Sequence, residues 1–206
     1  MRLRRRTYDL LLNREPHYRC ATPEYLYYNI KEMRKVVLVI AYKNFQDREY
    51  TATKKVLEEA GVEVKTASNE KRMAEGAIGL KIAVDLLVGE VKPADFDAVV
   101  FIGGSGALEE LDNEISYNLA RATIKQNKIL AAICISPVIL AKAGVLKNKK
   151  ATVWWDDFNK EPISILKENG AEFIDKKVVV DGKIITANGP AAAAEFGRAI
   201  LKILNG

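Results

Sequence analysis

Histidine is almost missing from this chain: one residue in 206, His17. A histidine-built metal site, or a triad with an imidazole base, has almost nothing to be made from. Cysteine is nearly as scarce. Cys20 and Cys134 lie far apart and match no metal-ligand spacing, and two cysteines make no disulfide framework. A reducing, cytoplasmic setting is therefore expected, with no metal and no cofactor called for. Long apolar runs are lacking too: none approaches the roughly 20 residues of a transmembrane helix, so no membrane partner is expected. The opening MRLRRRTYDLLLNRE begins with basic residues, but its apolar stretch is broken too soon for a signal peptide.

What is present is the composition of a soluble globular protein, 49% hydrophobic and 29% charged, with a net charge of +5. Part of that excess sits at one end, where Arg2, Arg4, Arg5, Arg6, Arg14 and Arg19 crowd the first twenty residues. A basic tail leaves contact with nucleic acid or an acidic partner open, although a solvated or loosely docked extension is the plainer reading. Residues 1–34 read as a basic, tyrosine-rich extension, with Tyr18, Tyr25, Tyr27 and Tyr28, suited to packing on the main domain or a second subunit. A short helix is expected after Thr22-Pro23.

From residue 35 the rhythm changes to strands alternating with helices. KVVLVIAY (35–42), FDAVVFIGG (96–104) and KILAAI (128–133) are continuous apolar runs of strand length, the pattern of strands buried on both faces. VEVKTAS (62–68) and KKATVWW (149–155) read as further strands. Helices are expected over 47–61, 113–127, 137–144, 161–170 and 189–206. Residues 79–91 suggest an extended arm or hairpin, and Asp181-Gly182 marks a tight turn in a hairpin over 178–188. The alternation predicts an α/β fold, with a parallel sheet covered by helices on both faces over 35–206.

In such sheets functional groups gather beyond the carboxyl ends of the strands. Cys134 follows the strand 128–133 and precedes the helix from Pro137, with small residues two before and two after it, Ala132 and Ser136. That is the spacing of a sharp strand-to-helix turn presenting a nucleophile. The helix N-terminus would favour thiolate, and Ser136 is a candidate N-cap. A buried structural cysteine fits the same pattern. Glu49, just past the first strand, is a candidate carboxyl partner or an ordinary first-turn charge. The glycines of GGSGA (103–107) allow close backbone approach; Gly103, Gly104 and Ile135 are candidate oxyanion donors. GGSGA is not GxGxxG, so a dinucleotide site is weakly supported.

Taken in order, KVVLVIAYKNFQDREY, GLKIAVDLLVGEVKPADFDAVVFIGGSGA, ILAAICISPVILAKAGVLKNKKAT and DGKIITANGPAAAAEFGRAIL resemble the DJ-1/PfpI superfamily over about 35–206. The resemblance implies a flavodoxin-like sandwich, dimeric or of higher order. It also implies a reactive Cys134 whose sulfur is hydrogen-bonded by a Glu49 that is often protonated. Protease-like members carry histidine directly after the cysteine, where this chain has Ile135. Others place a histidine after the next strand, where this chain has Trp154 and Trp155, read here as pocket walls or as packing residues. Without a histidine base, peptide hydrolysis is disfavoured. The functions left open are thiolate addition to small reactive aldehydes, glyoxalase- or deglycase-like, and a redox sensor or chaperone-like stress protein without turnover. The small-molecule partner is accordingly an electrophile or an oxidant.

Overall fold

The computed structural model describes residues 33–206, so the extension, His17, Cys20 and the helix expected after Pro23 lie outside the described residues. Twelve strands are described: β1 Lys35–Ile40, β2 Lys43–Phe45, β3 Glu63–Ser68, β4 Met73–Gly76, β5 Lys81–Ala83, β6 Leu86–Leu87, β7 Ala98–Phe101, β8 Ile129–Ile133, β9 Lys150–Ala151, β10 Glu172–Phe173, β11 Val178–Asp181 and β12 Ile184–Ala187. The helices are α1 Asp47–Glu59, α2 Gly106–Glu110, α3 Glu114–Lys125, α4 Pro137–Lys142, α5 Glu161–Glu168 and α6 Ala193–Leu204.

Seven strands form the central sheet, in the order β11-β12-β8-β7-β1-β3-β6. All neighbours run parallel except the edge pair β11 and β12, the hairpin turning at Gly182. The runs read as doubly buried are so. In β1 the five residues after Lys35 are fully buried, with Val37 and Val39 in one core and Val36, Leu38 and Ile40 in the other. Each such side chain contributes about 1.5–3 kcal/mol on burial, so a one-residue slip is strongly disfavoured. The core containing Val37 includes Leu119, Ala120 and Leu140 from α3 and α4; the other includes Tyr50, Leu57, Phe196 and Ile200 from α1 and α6.

Helices α1 and α6 meet closely at Gly197, where a Cβ would stand 3.0 Å from Cβ of Val56. A larger side chain must force the helices apart. Gly197→Leu is expected to cost about 1–3 kcal/mol, overpacking outweighing the roughly 1 kcal/mol gained in helix propensity. A chemical-denaturation midpoint at or above that of the wild type would show that the helices part freely.

Three expectations need correction. The run 149–155 pairs as a strand only at Lys150–Ala151, beside β10 rather than in the main sheet, because Thr152 N–H turns to Oγ1 of Thr186 at 2.9 Å. The hairpin in the arm begins earlier than 79. β4 pairs antiparallel with β5, and β4 also runs beside β2, forming a three-stranded sheet. The last helix starts as a 3-10 turn at Pro190–Ala192 and becomes α-helical from Ala193. Among the described residues, no helix is long and apolar enough to cross a membrane.

Candidate active site

β1 lies between β3 and β7, and the chain builds one side of the sheet before crossing to the other, which makes the β1/β7 boundary the switch point where a crevice opens in such folds. The segments leaving β1, β7 and β8 supply Glu49, Gly103-Gly104 and Cys134.

Cys134 directly follows β8 and adopts φ +63°, a left-handed conformation uncommon for a residue with a side chain. The chain around it holds that conformation from both sides. Its N–H donates to the carbonyl of Ala187 at 2.8 Å, and its carbonyl accepts from Trp154 N–H at 2.8 Å. Such strain, kept by surrounding bonds, is the signature of a site that aims a side chain. Ser136 does not cap the next helix as expected. Its hydroxyl donates instead to the carbonyl of Ile102 at 2.8 Å, tying the turn to the end of β7.

Glu49 sits in the first turn of α1 and is fully buried. The start of that helix is fixed from two directions. Gln46 N–H donates to the carbonyl of Gly103 at 2.8 Å. The carboxylate of Asp47 accepts from the N–H groups of Ile78 and Leu80 at 3.1 and 2.9 Å, which clamps the β4–β5 turn. Glu49 Oε2 accepts from Gly103 N–H at 3.0 Å, the carboxyl lies against the Cys134 side chain and interacts with it, and Oε1 has no hydrogen-bond partner among the described residues.

The glycines are needed where they stand. A Cβ on Gly103 would lie 2.5 Å from Cβ of Cys134 and 2.9 Å from Oε2 of Glu49. Gly104, at φ +116°, is pressed against the backbone of Asn44–Gln46. Gly103→Ala is expected to destabilise by about 1–3 kcal/mol and to spread the cysteine and the carboxyl. A crystal structure of that variant with the pair undisturbed would contradict this.

Burial raises the Glu49 carboxyl to about 7, against the lowering effects of its hydrogen bonds with Cys134 and Gly103. Burial also pushes the Cys134 thiol up, with the Glu49 charge and its hydrogen bond adding to the rise; the N–H groups of Gly104 and Ile135 act the other way. The helix end is therefore outweighed at Cys134, and α4 is only six residues long with proline first. Two groups that each resist ionisation beside the other titrate as a pair, which holds two protons below about pH 7 and one above it.

Of the three candidate oxyanion donors, Gly103 must be withdrawn, because its N–H is already given to Glu49. Gly104 and Ile135 remain, both directed at the sulfur. Trp154 is joined to Cys134 through the backbone, and its ring edge lies 3.5 Å from the Cβ position of Gly189. Trp155 faces Lys160, whose Nζ is 5.8 Å from the ring centre. Sequence reasoning passed over Asp47 because a carboxylate in a first helical turn is unremarkable; only the contact with the β4–β5 turn distinguishes it.

A flavodoxin-like sheet that ends in a strained cysteine, with a buried carboxyl at its sulfur, defines a class of cysteine-bearing α/β proteins. Residues 34–203 match the DJ-1/PfpI family, and the chain belongs to it. Among its relatives, an uncharacterised protein of Methanocaldococcus jannaschii is 42% identical over 171 residues, 82% of each chain. Deglycase PfpI of Pyrococcus furiosus is 35% identical over 82% of this chain and 98% of its own. Protein/nucleic acid deglycase 2 of Escherichia coli is 32% identical over 84% and 99%. Among solved structures, a ThiJ/PfpI domain protein from Brachyspira murdochii superposes with a TM-score of 0.79 at 34% identity, over 84% of this chain and 97% of that one.

Proposed function

We propose that this protein converts small reactive 2-oxoaldehydes, free or released from their adducts, through covalent addition to Cys134. The observation that carries the reading is the buried Cys134–Glu49 pair, one nucleophile and one acid–base group in contact. The relatives named deglycase support the same class of chemistry.

In this reading Glu49 takes the thiol proton as the sulfur attacks the aldehyde carbon. The C=O electron pair moves to oxygen, held by the N–H groups of Gly104 and Ile135, and Glu49 passes the thiol proton to that oxygen, which gives a hemithioacetal and frees the carboxylate. Glu49 then removes the proton on that carbon. The freed electron pair forms an enediol as the neighbouring carbonyl oxygen takes a proton; the neighbouring carbon then takes the proton held by Glu49 while the hydroxyl on the sulfur-bearing carbon loses its own, which leaves a 2-hydroxy thioester. Water cleaves the thioester to a 2-hydroxy acid and restores the thiol. The aldehyde carbon is oxidised and its neighbour reduced, so no external oxidant or cofactor enters. A single carboxyl suffices for each transfer, which fits a site with no histidine among the described residues.

The test is direct: methylglyoxal is supplied to the protein and lactate is followed by proton NMR. Lactate formed by the wild type and absent with Cys134→Ala supports the reading. Absence of lactate with both proteins, together with clean conversion of Cys134 to sulfinate by stoichiometric peroxide, would favour the redox-sensor reading instead. The raised Glu49 carboxyl supports that alternative as well, since it can donate to a sulfinate oxygen.

A further inference from the structure

The segment that follows β9 is fastened to the main sheet without joining it. Thr152–Trp155 belong to no strand among the described residues. Three alternate N–H groups, those of Lys150, Thr152 and Trp154, each find an acceptor on the sheet: the Asp181 carboxylate at 2.9 Å, the Thr186 hydroxyl at 2.9 Å and the Cys134 carbonyl at 2.8 Å. The first two are side chains standing in for the carbonyls of a ladder; the third is the backbone of the cysteine itself. Thr186 is the acceptor out of keeping with its surroundings. It is fully buried in β12 and shares a face with Ile184, in the core that also holds Ala151 and Val153. A valine would fill that place with nothing polar to desolvate. The hydroxyl is accounted for by the Thr152 N–H. Thr152 is also fully buried, and its own hydroxyl has no partner among the described residues, so its N–H is what anchors it.

We propose that Thr186 is a positioning residue for Cys134: its hydroxyl seats Thr152, so that the Trp154 N–H two residues on reaches the cysteine carbonyl and keeps the thiol aimed at Glu49. The φ of +63° at Cys134 persists only while its neighbours restrain it, and this bond is one of the two that do so. Without the Thr186 hydroxyl, the Thr152 N–H is left buried and unpaired, which drives the segment to shift toward another partner. Trp154 shifts with it, and the cysteine turn relaxes. Thr186 touches no reacting atom; it acts through the segment between Thr152 and Trp154. The inference rests on Cys134 being the reactive group and on no particular reaction.

Hydrogen exchange at the Trp154 amide, followed by NMR on the full-length protein, tests this without any turnover. In Thr186→Val, exchange at Trp154 is expected to be about tenfold faster or more, while Ala131 in β8 stays protected. The iodoacetamide-labelling step at Cys134 is expected to move from near pH 7 toward the ordinary thiol value of about 8.5, as the sulfur leaves Glu49. Thr186→Ser keeps the hydroxyl and is expected to restore both. Should the valine variant fail to fold, Thr186→Ala set against Thr186→Ser isolates the same oxygen. Leu204→Ala is the control for general loosening. Leu204 is buried at the opposite end of the sheet, beside Arg34, Asp97 and Lys128, which precede β1, β7 and β8. Its truncation is expected to lower the melting temperature and to move neither reading. A wild type with no labelling step would count against the titrating pair, and exchange at Trp154 would then decide the role of Thr186 alone. The proposal is overturned by a Thr186→Val protein that melts lower yet keeps wild-type exchange at Trp154, by serine failing to restore it, or by equal acceleration in Leu204→Ala.

Discussion

Replacing Glu49 by glutamine is expected to make the folded protein more stable at pH 8 and to leave its stability at pH 4 nearly unchanged. The Glu49 carboxyl ionises at its ordinary 4.5 in the unfolded chain but only at about 7 in the folded one, because burial penalises the charge. Between those values the folded state holds a proton that the unfolded state has lost, so stability falls as pH rises from 4.5 to 7 and stays low above it. The shift corresponds to roughly 3 kcal/mol at most, or about 6–12 °C in melting temperature for a domain of this size. Glutamine fills the same space, accepts from Gly103 N–H and cannot ionise, so it lacks this loss. Melting curves of both proteins from pH 4 to 8 would show the gap opening with pH. Parallel curves would mean that Glu49 does not titrate as a buried group. In this account the charge at Glu49 is retained at a cost in stability because the chemistry requires it.

The same substitution is expected to lower methylglyoxal turnover by about 10²–10⁴-fold, the usual contribution of a positioned acid–base group. Turnover in the wild type should rise with pH through about 7, as the pair gives up its first proton and a base becomes available. The glutamine variant should lose that limb along with the rate. Cys134→Ala is expected to lose turnover altogether, since no covalent intermediate can form. A Glu49→Gln variant that keeps both the rate and the pH limb would assign the proton transfers to another group. The two effects of one substitution, a more stable fold and a slower enzyme, are opposite in sign, which general damage to the protein would not produce.

The central strands were legible because burial on both faces writes unbroken apolar runs, as in 35–42 and 128–133. β2 and β4 were not, because KNF and MAEG are too short to carry a period. The run at 149–155 reads as a main-sheet strand for the converse reason: Ala151 and Val153 are buried in the core that holds Val37 without their segment joining the main sheet. At the site, the small neighbours of Cys134 announced the turn, but Glu49 emerged as a partner only through the family resemblance, since its spacing from Cys134 is set by the sheet. Sequence could not tell that the Gly103 N–H is given to Glu49 while those of Gly104 and Ile135 face the sulfur. That depends on how each peptide plane is turned. Nor could it tell that burial outweighs a short helix at the thiol.

The central claim is that Cys134 and Glu49 titrate as one pair, which gives up the first of its two protons near pH 7. The most direct test is the rate of iodoacetamide labelling at Cys134 from pH 5 to 10, read by peptide mass spectrometry, in wild type and Glu49→Gln. The account predicts a step near pH 7 in the wild type, where the pair loses its first proton, and no such step in the variant. Labelling profiles that coincide in the two proteins, or a Cys134 that labels only after unfolding, would contradict it.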